Sequence, residues 1–246
     1  MPSVLILGAT SAIARAIAAE FARHRSELIL AARDAEELTA LAADLNLRYG
    51  VKTQAQCLDV LDPAAVETSL PACLAAAGET LTGVVLCVGT MGDEEAARAN
   101  QAEAERILNT NFTGCVLALN VVANHFEKRK RGFICALSSV AGDRGRQSNY
   151  LYGSAKAGLS AYLQGLRNRL FRSGVRVITI KPGFVDTSMT FGRPGLFLLA
   201  SPEAIARGVY KAINSGKDVV YLPWFWRWIM LVIRLVPEGI FKRLRL

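Results

Sequence analysis

Histidine is almost absent from this chain. His24 and His125 are the only two in 246 residues, and neither has a partner at ligand spacing, so a zinc centre is not expected. Cysteine is sparse and odd in number. Cys57, Cys73, Cys87, Cys115 and Cys135 are scattered through apolar segments, which predicts buried, reduced thiols in a cytosolic protein and argues against a disulfide framework. No run of about eighteen uninterrupted apolar residues occurs, so no spanning helix is expected. The chain passes from Met1-Pro2-Ser3 directly into Val4-Leu5-Ile6-Leu7 without a basic segment before it, so no signal peptide is expected. Internal repeats, low-complexity tracts and linkers are also missing, and the length suits one domain with a sizeable core.

What is present is apolar and basic. Hydrophobic residues make up 52%, on the high side for a globular chain, and the formal net charge is +8. Half of that excess sits in residues 224–246, where Arg227, Arg234, Lys242, Arg243 and Arg245 stand against Glu238, a net +4. The run Lys128-Arg129-Lys130-Arg131 falls at a predicted helix end, where cations complement the helix dipole, so nucleic-acid binding is not expected.

Strand and helix signals alternate from the start. Strands are predicted over 4–7, 28–31, 51–58, 84–88, 133–137, 175–180 and 219–222. Helices are predicted over 11–24, 34–48, 62–77, 99–130, a segment ending near 171, and 201–215. Asp34 reads as an N-cap, and Asp62-Pro63 as an N-cap followed by proline at the first helical position. Short apolar strands between helices imply an α/β fold with a doubly wound parallel sheet, covered on both faces. Such sheets bind ligands at the carboxyl ends of their strands.

The unusual residues collect at those ends. After the first strand, Gly8-Ala9-Thr10-Ser11-Ala12-Ile13-Ala14 is a small-residue turn into a helix, suited to close approach of a pyrophosphate. After the second stands Arg33, preceded by Ala32, where an NAD-type acid would be; an arginine there can meet a 2′-phosphate. After the third come Asp59 and Val60, with the carboxylate placed to face an adenine edge. The fourth ends Cys87-Val88-Gly89, where glycine lets backbone lie against a cofactor. Asn111 sits inside the long helix, which it can distort while holding a water.

The fifth strand ends in Ser138-Ser139, and Tyr152 and Lys156 follow, four residues apart and so on one helical face. A lone phenol releases its proton near pH 10, and a neighbouring ammonium favours the phenolate. A serine hydroxyl can donate to a carbonyl oxygen where charge develops. Together these residues point to carbonyl–alcohol chemistry.

With those residues in place the chain resembles the short-chain dehydrogenase/reductase family over roughly residues 3–222. The resemblance implies a Rossmann-like NAD(P)-binding domain and a catalytic tetrad of Asn111, Ser139, Tyr152 and Lys156. Cofactor contacts are implied at Gly8, Thr10, Ser11, Ala12, Ile13, Arg33, Asp59, Val60, Val88, Gly89, Tyr152 and Lys156. The Pro-Gly segment adds Pro182, Gly183, Val185 and Thr187, with the threonine on the nicotinamide amide. Ala12 and Ala14 replace family glycines, and Cys87-Val88 replaces Asn-Ala. NADP(H) is expected to be preferred, with NAD(H) possible, and pairing of helices between subunits implies a homodimer or homotetramer.

A narrower resemblance runs through 8–14, 152–159 and the tail 225–245, to the branch of reductase subunits of decaprenylphosphoryl-ribose 2′-epimerases. It implies a ketone on a polyprenyl-phosphate-linked sugar as substrate, and a flavin-dependent oxidase as partner. Residues 189–200, with Phe191, Leu196, Phe197, Leu198 and Leu199, would form an apolar lid. Another membrane-lipid ketone (3-oxoacyl or sterol-like) is the alternative substrate, and a non-enzymatic nucleotide sensor the alternative class.

Residues 223–246 read as a separate amphipathic tail. Thirteen residues between Pro223 and Pro237 make a helix of about 20 Å, short of the roughly 30 Å hydrocarbon core. With three tryptophans and flanking cations, the tail is expected to lie on the cytoplasmic membrane surface; the alternative is that its helix packs on the domain or on another subunit.

Overall fold

The computed structural model describes residues 1–191 and 198–244. Seven strands, β1 (Ser3–Leu7), β2 (Glu27–Ala32), β3 (Thr53–Cys57), β4 (Leu81–Leu86), β5 (Phe133–Leu137), β6 (Arg176–Pro182) and β7 (Val219–Leu222), form one sheet. Its order is β3-β2-β1-β4-β5-β6-β7 with every pairing parallel. The chain is a Rossmann-like α/β fold. Alternation along β1 sends Val4 and Ile6 to one face and Leu5 and Leu7 to the other. The first face packs on α1 (Ala12–Arg23), α2 (Ala35–Tyr49) and α7 (Pro202–Asn214); the second on α3 (Pro63–Ala77), α5 (Gly114–Arg129) and α6 (Tyr150–Phe171).

The predicted caps at Asp34 and Asp62 form, with Pro63 opening α3; Ser11 and Ser201, not singled out as caps from sequence, likewise accept a backbone N–H from the first turn of the helix they precede, and Pro202 opens α7. The expectation of five buried thiols is corrected at Cys57. It is exposed, because β3 is the sheet's outer strand and faces water along much of its length, whereas the other four cysteines are buried.

The stretch predicted as one helix over 99–130 is α4 (Gln101–Leu108) and α5, joined by a π-helical turn at Asn109–Thr113. The cause is local. Asn111 Nδ2 donates to Ile107 O at 2.8 Å, taking a carbonyl that an unbroken α-helix would give to the Asn111 backbone. By length and composition Gln101–Arg129 could cross a membrane. In this fold its apolar side is core: Cys115, Leu119, Val122 and Phe126 are each fully buried.

The tail is not a detached segment. α8 (Trp226–Leu235) buries Trp226 and Met230 against Val140, with Phe184, Tyr221, Ile229 and Ile233 around them. Trp226 is therefore removed from the group of tryptophans expected at a membrane surface, because its ring fills the space above Gly183. Arg144 holds the far end of α8. Its guanidinium donates to Ile233 O at 2.9 Å and Arg234 O at 3.2 Å, and lies 3.8 Å above the ring of Phe241, in α9 (Glu238–Phe241). Arg245 lies outside the described residues.

Candidate active site

The strand order reverses between β1 and β4, the place where a parallel sheet opens a crevice. Gly8 leaves β1 with φ +77°, and a Cβ there would meet Val88 N at 2.9 Å, so both the conformation and the approach require glycine. Its N–H donates to Ala31 O at 2.8 Å, which fixes the turn, and Ser11 caps α1 immediately after it.

Two joined cavities occupy this crevice. One, of about 320 Å³, is lined by Gly8, Thr10, Ser11, Arg33, Asp59, Val60, Val88 and Gly89. The other, of about 220 Å³, takes in Ala12, Ile13, Ser139, Tyr152, Lys156, Pro182, Gly183, Val185 and Thr187. They share Thr10, Ser11, Cys87, Val88 and Gly89. Every cofactor contact expected from sequence thus lies on one continuous groove. Arg33 stands exposed at the β2 end, and Asp59 accepts Leu61 N at 2.9 Å. Elongated shape, a glycine turn, an amide-rich helix start and a cation at one end fit a dinucleotide.

The fifth strand and α6 bring the candidate catalytic groups together. Ser138 is buried. Its Oγ bonds Lys156 O at 3.0 Å and lies 2.7 Å from Ser160 Oγ, clamping the end of β5 onto α6. Gly142 permits the loop to lie flat there, since a Cβ would meet Lys156 C and Ala157 N at 2.7 Å. Ser139 is therefore held at the cavity wall. Its Oγ accepts Ala141 N at 3.1 Å, leaving its own hydrogen available to donate.

Tyr152 lies in the first turn of α6, mostly buried. Lys156 Nζ is 5.8 Å from the Tyr152 ring centroid and donates to Leu137 O at 3.1 Å and Val88 O at 3.4 Å. An ammonium that is 3% exposed is thus held by two strand-end carbonyls. Asn111 does not line the cavity; it lies behind Gly89. A Cβ on Gly89 would stand 3.0 Å from Asn111 Oδ1 and 3.2 Å from Lys156 Nζ. Both Asn111 amide hydrogens are taken, by Thr90 O at 2.7 Å and Ile107 O, and Oδ1 accepts Thr90 N at 3.1 Å. Only acceptor capacity on Oδ1 remains for a water.

Sequence reasoning missed several lining residues. Cys87 is buried in the wall, where desolvation pushes its thiol up to about 12 against the opposing charge of Lys156, so it is not a nucleophile. Arg106 reaches the larger cavity from α4, fixed by Glu103 at 2.6 Å. Arg146 and Asn149 line the smaller cavity from the loop before α6. Of the expected lid, Phe191, Leu198 and Leu199 are exposed and Ala200 pairs with Val185, while Leu196 and Phe197 lie outside the described residues.

Fold, crevice and the grouping of serine, tyrosine and lysine define a nicotinamide-dependent carbonyl–alcohol enzyme. The short chain dehydrogenase family pattern matches residues 2–193, and the chain belongs to that family of NAD(P)-dependent oxidoreductases. It is 35% identical over 241 residues to an uncharacterized oxidoreductase of Mycobacterium tuberculosis, covering 98% of this chain and 96% of that one. An uncharacterized oxidoreductase of Streptomyces coelicolor is 34% identical over 243 residues, covering 98% and 95%. Among solved structures, a short-chain dehydrogenase from Sphingobium yanoikuyae in complex with NADPH superposes with a TM-score of 0.83 at 26% identity, covering 100% of this chain and 97% of that one.

Proposed function

We propose that this protein reduces a ketone, with NADPH as the preferred cofactor. The observation carrying the reading is the placement of Ser139, Tyr152 and Lys156 on one cavity that joins the switch-point groove. In the larger cavity Gly8, Thr10, Ser11, Arg33, Asp59 and Val60 would hold the adenine half of the cofactor. In the smaller one Ile13, Gly183, Val185 and Thr187 would hold the nicotinamide half. When bound, the nicotinamide supplies a hydride. Ser139 donates its free hydroxyl hydrogen to the ketone oxygen and stabilises the charge that grows there. Tyr152 gives that oxygen its proton. Lys156, pinned at the strand ends, stabilises the charge left on the phenol. Asn111 shapes the wall at Gly89 and Thr90, and accepts a water that returns protons through Lys156.

The NADPH preference rests on Arg33, exposed beside the cavity, with Ala32 where an NAD-type acid would stand. Purified protein should oxidise NADPH in the presence of a ketone, with a higher kcat/KM for NADPH than for NADH. Arg33→Ala should erase that difference, at about 1.5–3 kcal/mol for a charge-assisted contact, roughly tenfold or more. A wild-type preference for NADH, unchanged in the variant, refutes the assignment; no oxidation with any ketone favours the non-enzymatic sensor.

The finer reading is a ketone on a polyprenyl-phosphate-linked sugar, the second step of an oxidation–reduction epimerisation with a flavin-dependent oxidase upstream. A 3-oxoacyl or sterol-like lipid is the alternative. The outer face of α8 supports a lipid setting. Trp224, Trp228, Leu231, Val232 and Leu235 are exposed beside Arg227 and Arg234, with Lys242 and Arg243 following. Such a face suits peripheral attachment to an anionic, cytoplasmic leaflet. Deleting the tail would uncover Val140 and the Gly183 region, so surface substitutions are the cleaner test. Trp224→Ser, Trp228→Ser and Val232→Ser together should abolish sedimentation with anionic liposomes while leaving the melting temperature within a few degrees. Equal sedimentation of both proteins, or none by the wild type, removes the anchor and weakens the lipid substrate. Exposed Leu108, Phe112 and Leu117 on α4–α5 support a homodimer or homotetramer paired through these helices.

A further inference from the structure

The smaller cavity contains a cation that the reduction chemistry does not use. Arg146 lines it together with Ser139, Tyr152 and Lys156. Asp143 and Arg144, its neighbours in the loop, are committed elsewhere. Asp143 binds Lys181 Nζ through Oδ1, and its Oδ2 accepts the Tyr221 hydroxyl at 2.7 Å. Arg144 is spent on the end of α8. Glu94 Oε1 accepts Leu151 N at 2.7 Å, capping the start of α6; its Oε2 is buried without a partner among the described residues, but Glu94 does not line this cavity. Arg146 is left half-buried, with its Nε shielded from water and no acceptor for it among the described residues. Burial pulls its pKa below the usual guanidinium value, and the charge of Asp143 only partly offsets this.

The cavity is one-signed. Among its described lining residues there is no Asp or Glu, while Lys156 and Arg146 are both present. Lys156 already donates to two carbonyls, so Arg146 is the cation with donors to spare. Asn149 lines the same cavity with its Oδ1 buried and unpartnered, and a half-turn of that amide would present two N–H donors instead. A planar guanidinium with no salt bridge to it among the described residues, lining a cavity without acids, matches the fork of a phosphate or carboxylate.

We propose that Arg146 binds an anionic group, phosphate or carboxylate, carried by the substrate, so the substrate class is a ketone with a negative charge near its carbonyl. The assignment rests on the ketone-reductase reading of this cavity and adds a specificity-determining residue to it.

Three small probes of similar skeleton test it with NADPH: neutral 5-hydroxy-2-pentanone, its phosphate ester, and levulinate. In the wild type at least one charged probe should exceed the neutral one in kcat/KM by about 10- to 100-fold, the range of a charge-assisted hydrogen bond. A gain confined to the ester assigns phosphate; one confined to levulinate assigns carboxylate. In Arg146→Gln that ratio should fall towards unity through KM, and Arg146→Lys should recover part of it. Calorimetric titration of the charged probes reads the same contact without turnover, and should show binding weakened by tenfold or more in Arg146→Gln. If no probe is reduced, calorimetry with the same probes alone decides the role of Arg146, and the ketone-reductase reading is decided separately by the wider range of ketones. The Gln variant should melt no lower than wild type, since it removes an unpaired, partly desolvated charge. Equal charged-to-neutral ratios in both proteins, charged probes that the wild type binds no better than the neutral one, or a clearly lower melting point would overturn the proposal.

Discussion

Tyr152→Phe is expected to lower kcat by about 10²–10⁴-fold, the usual contribution of a positioned general acid, while NADPH binding is retained. The substitution keeps the ring, which is 7% exposed and packs among Ala97, Ile107 and Ala141, so the start of α6 should stay folded. It removes only the hydroxyl. Turnover followed by NADPH absorbance, with binding followed by cofactor fluorescence, separates the two effects. A near-normal rate would move the role to Tyr150. That residue is 40% exposed and has Ser154 rather than a lysine one turn along, so it lacks the neighbouring charge that suits Tyr152 to the task.

Trp226→Ala should be the most damaging single change for stability. The ring is 1% exposed, and a Cβ on Gly183 would stand 1.9 Å from its Nε1, so it fills the space directly over the Pro182-Gly183 turn. Truncating a buried tryptophan costs about 3–5 kcal/mol. For a domain of this size that is roughly a 10 °C fall in Tm. The cavity opened would lie behind a wall of the candidate nicotinamide pocket, so weaker NADPH binding should accompany the loss. Thermal denaturation and a cofactor titration check both. A melting temperature within a degree or two of wild type would mean that α8 does not rest on the domain in solution, and would leave its whole surface for the membrane contact expected from sequence.

The sequence was sufficient wherever the signal was local. Asp34 and Asp62 cap helices because a short acceptor side chain reaches the nearest free N–H groups. The spacing of Tyr152 and Lys156 fixes their common face as soon as α6 forms. Short apolar strands between helices fix the parallel, doubly covered sheet, and with it the crevice at the carboxyl ends. Gly8 was legible because its turn needs a positive φ.

Other features were decided by contacts between residues far apart in the chain, which no local pattern encodes. Asn111 was expected to distort its helix, but only the folded chain shows its amide tied to Thr90 across the end of β4. Cys57 reads as core in an apolar segment and is exposed because β3 ends the sheet. The tail is amphipathic, and an apolar face of that kind can lie on a membrane or pack on the domain. Trp226, Met230 and the grip of Arg144 settle one face of α8 on the domain and leave Trp224, Trp228 and Val232 outside. Arg146 gave no signal at all. An arginine in a loop is ordinary, and this one becomes informative only when Lys181 and Tyr221 occupy Asp143 and leave its guanidinium lining the cavity with no salt bridge among the described residues.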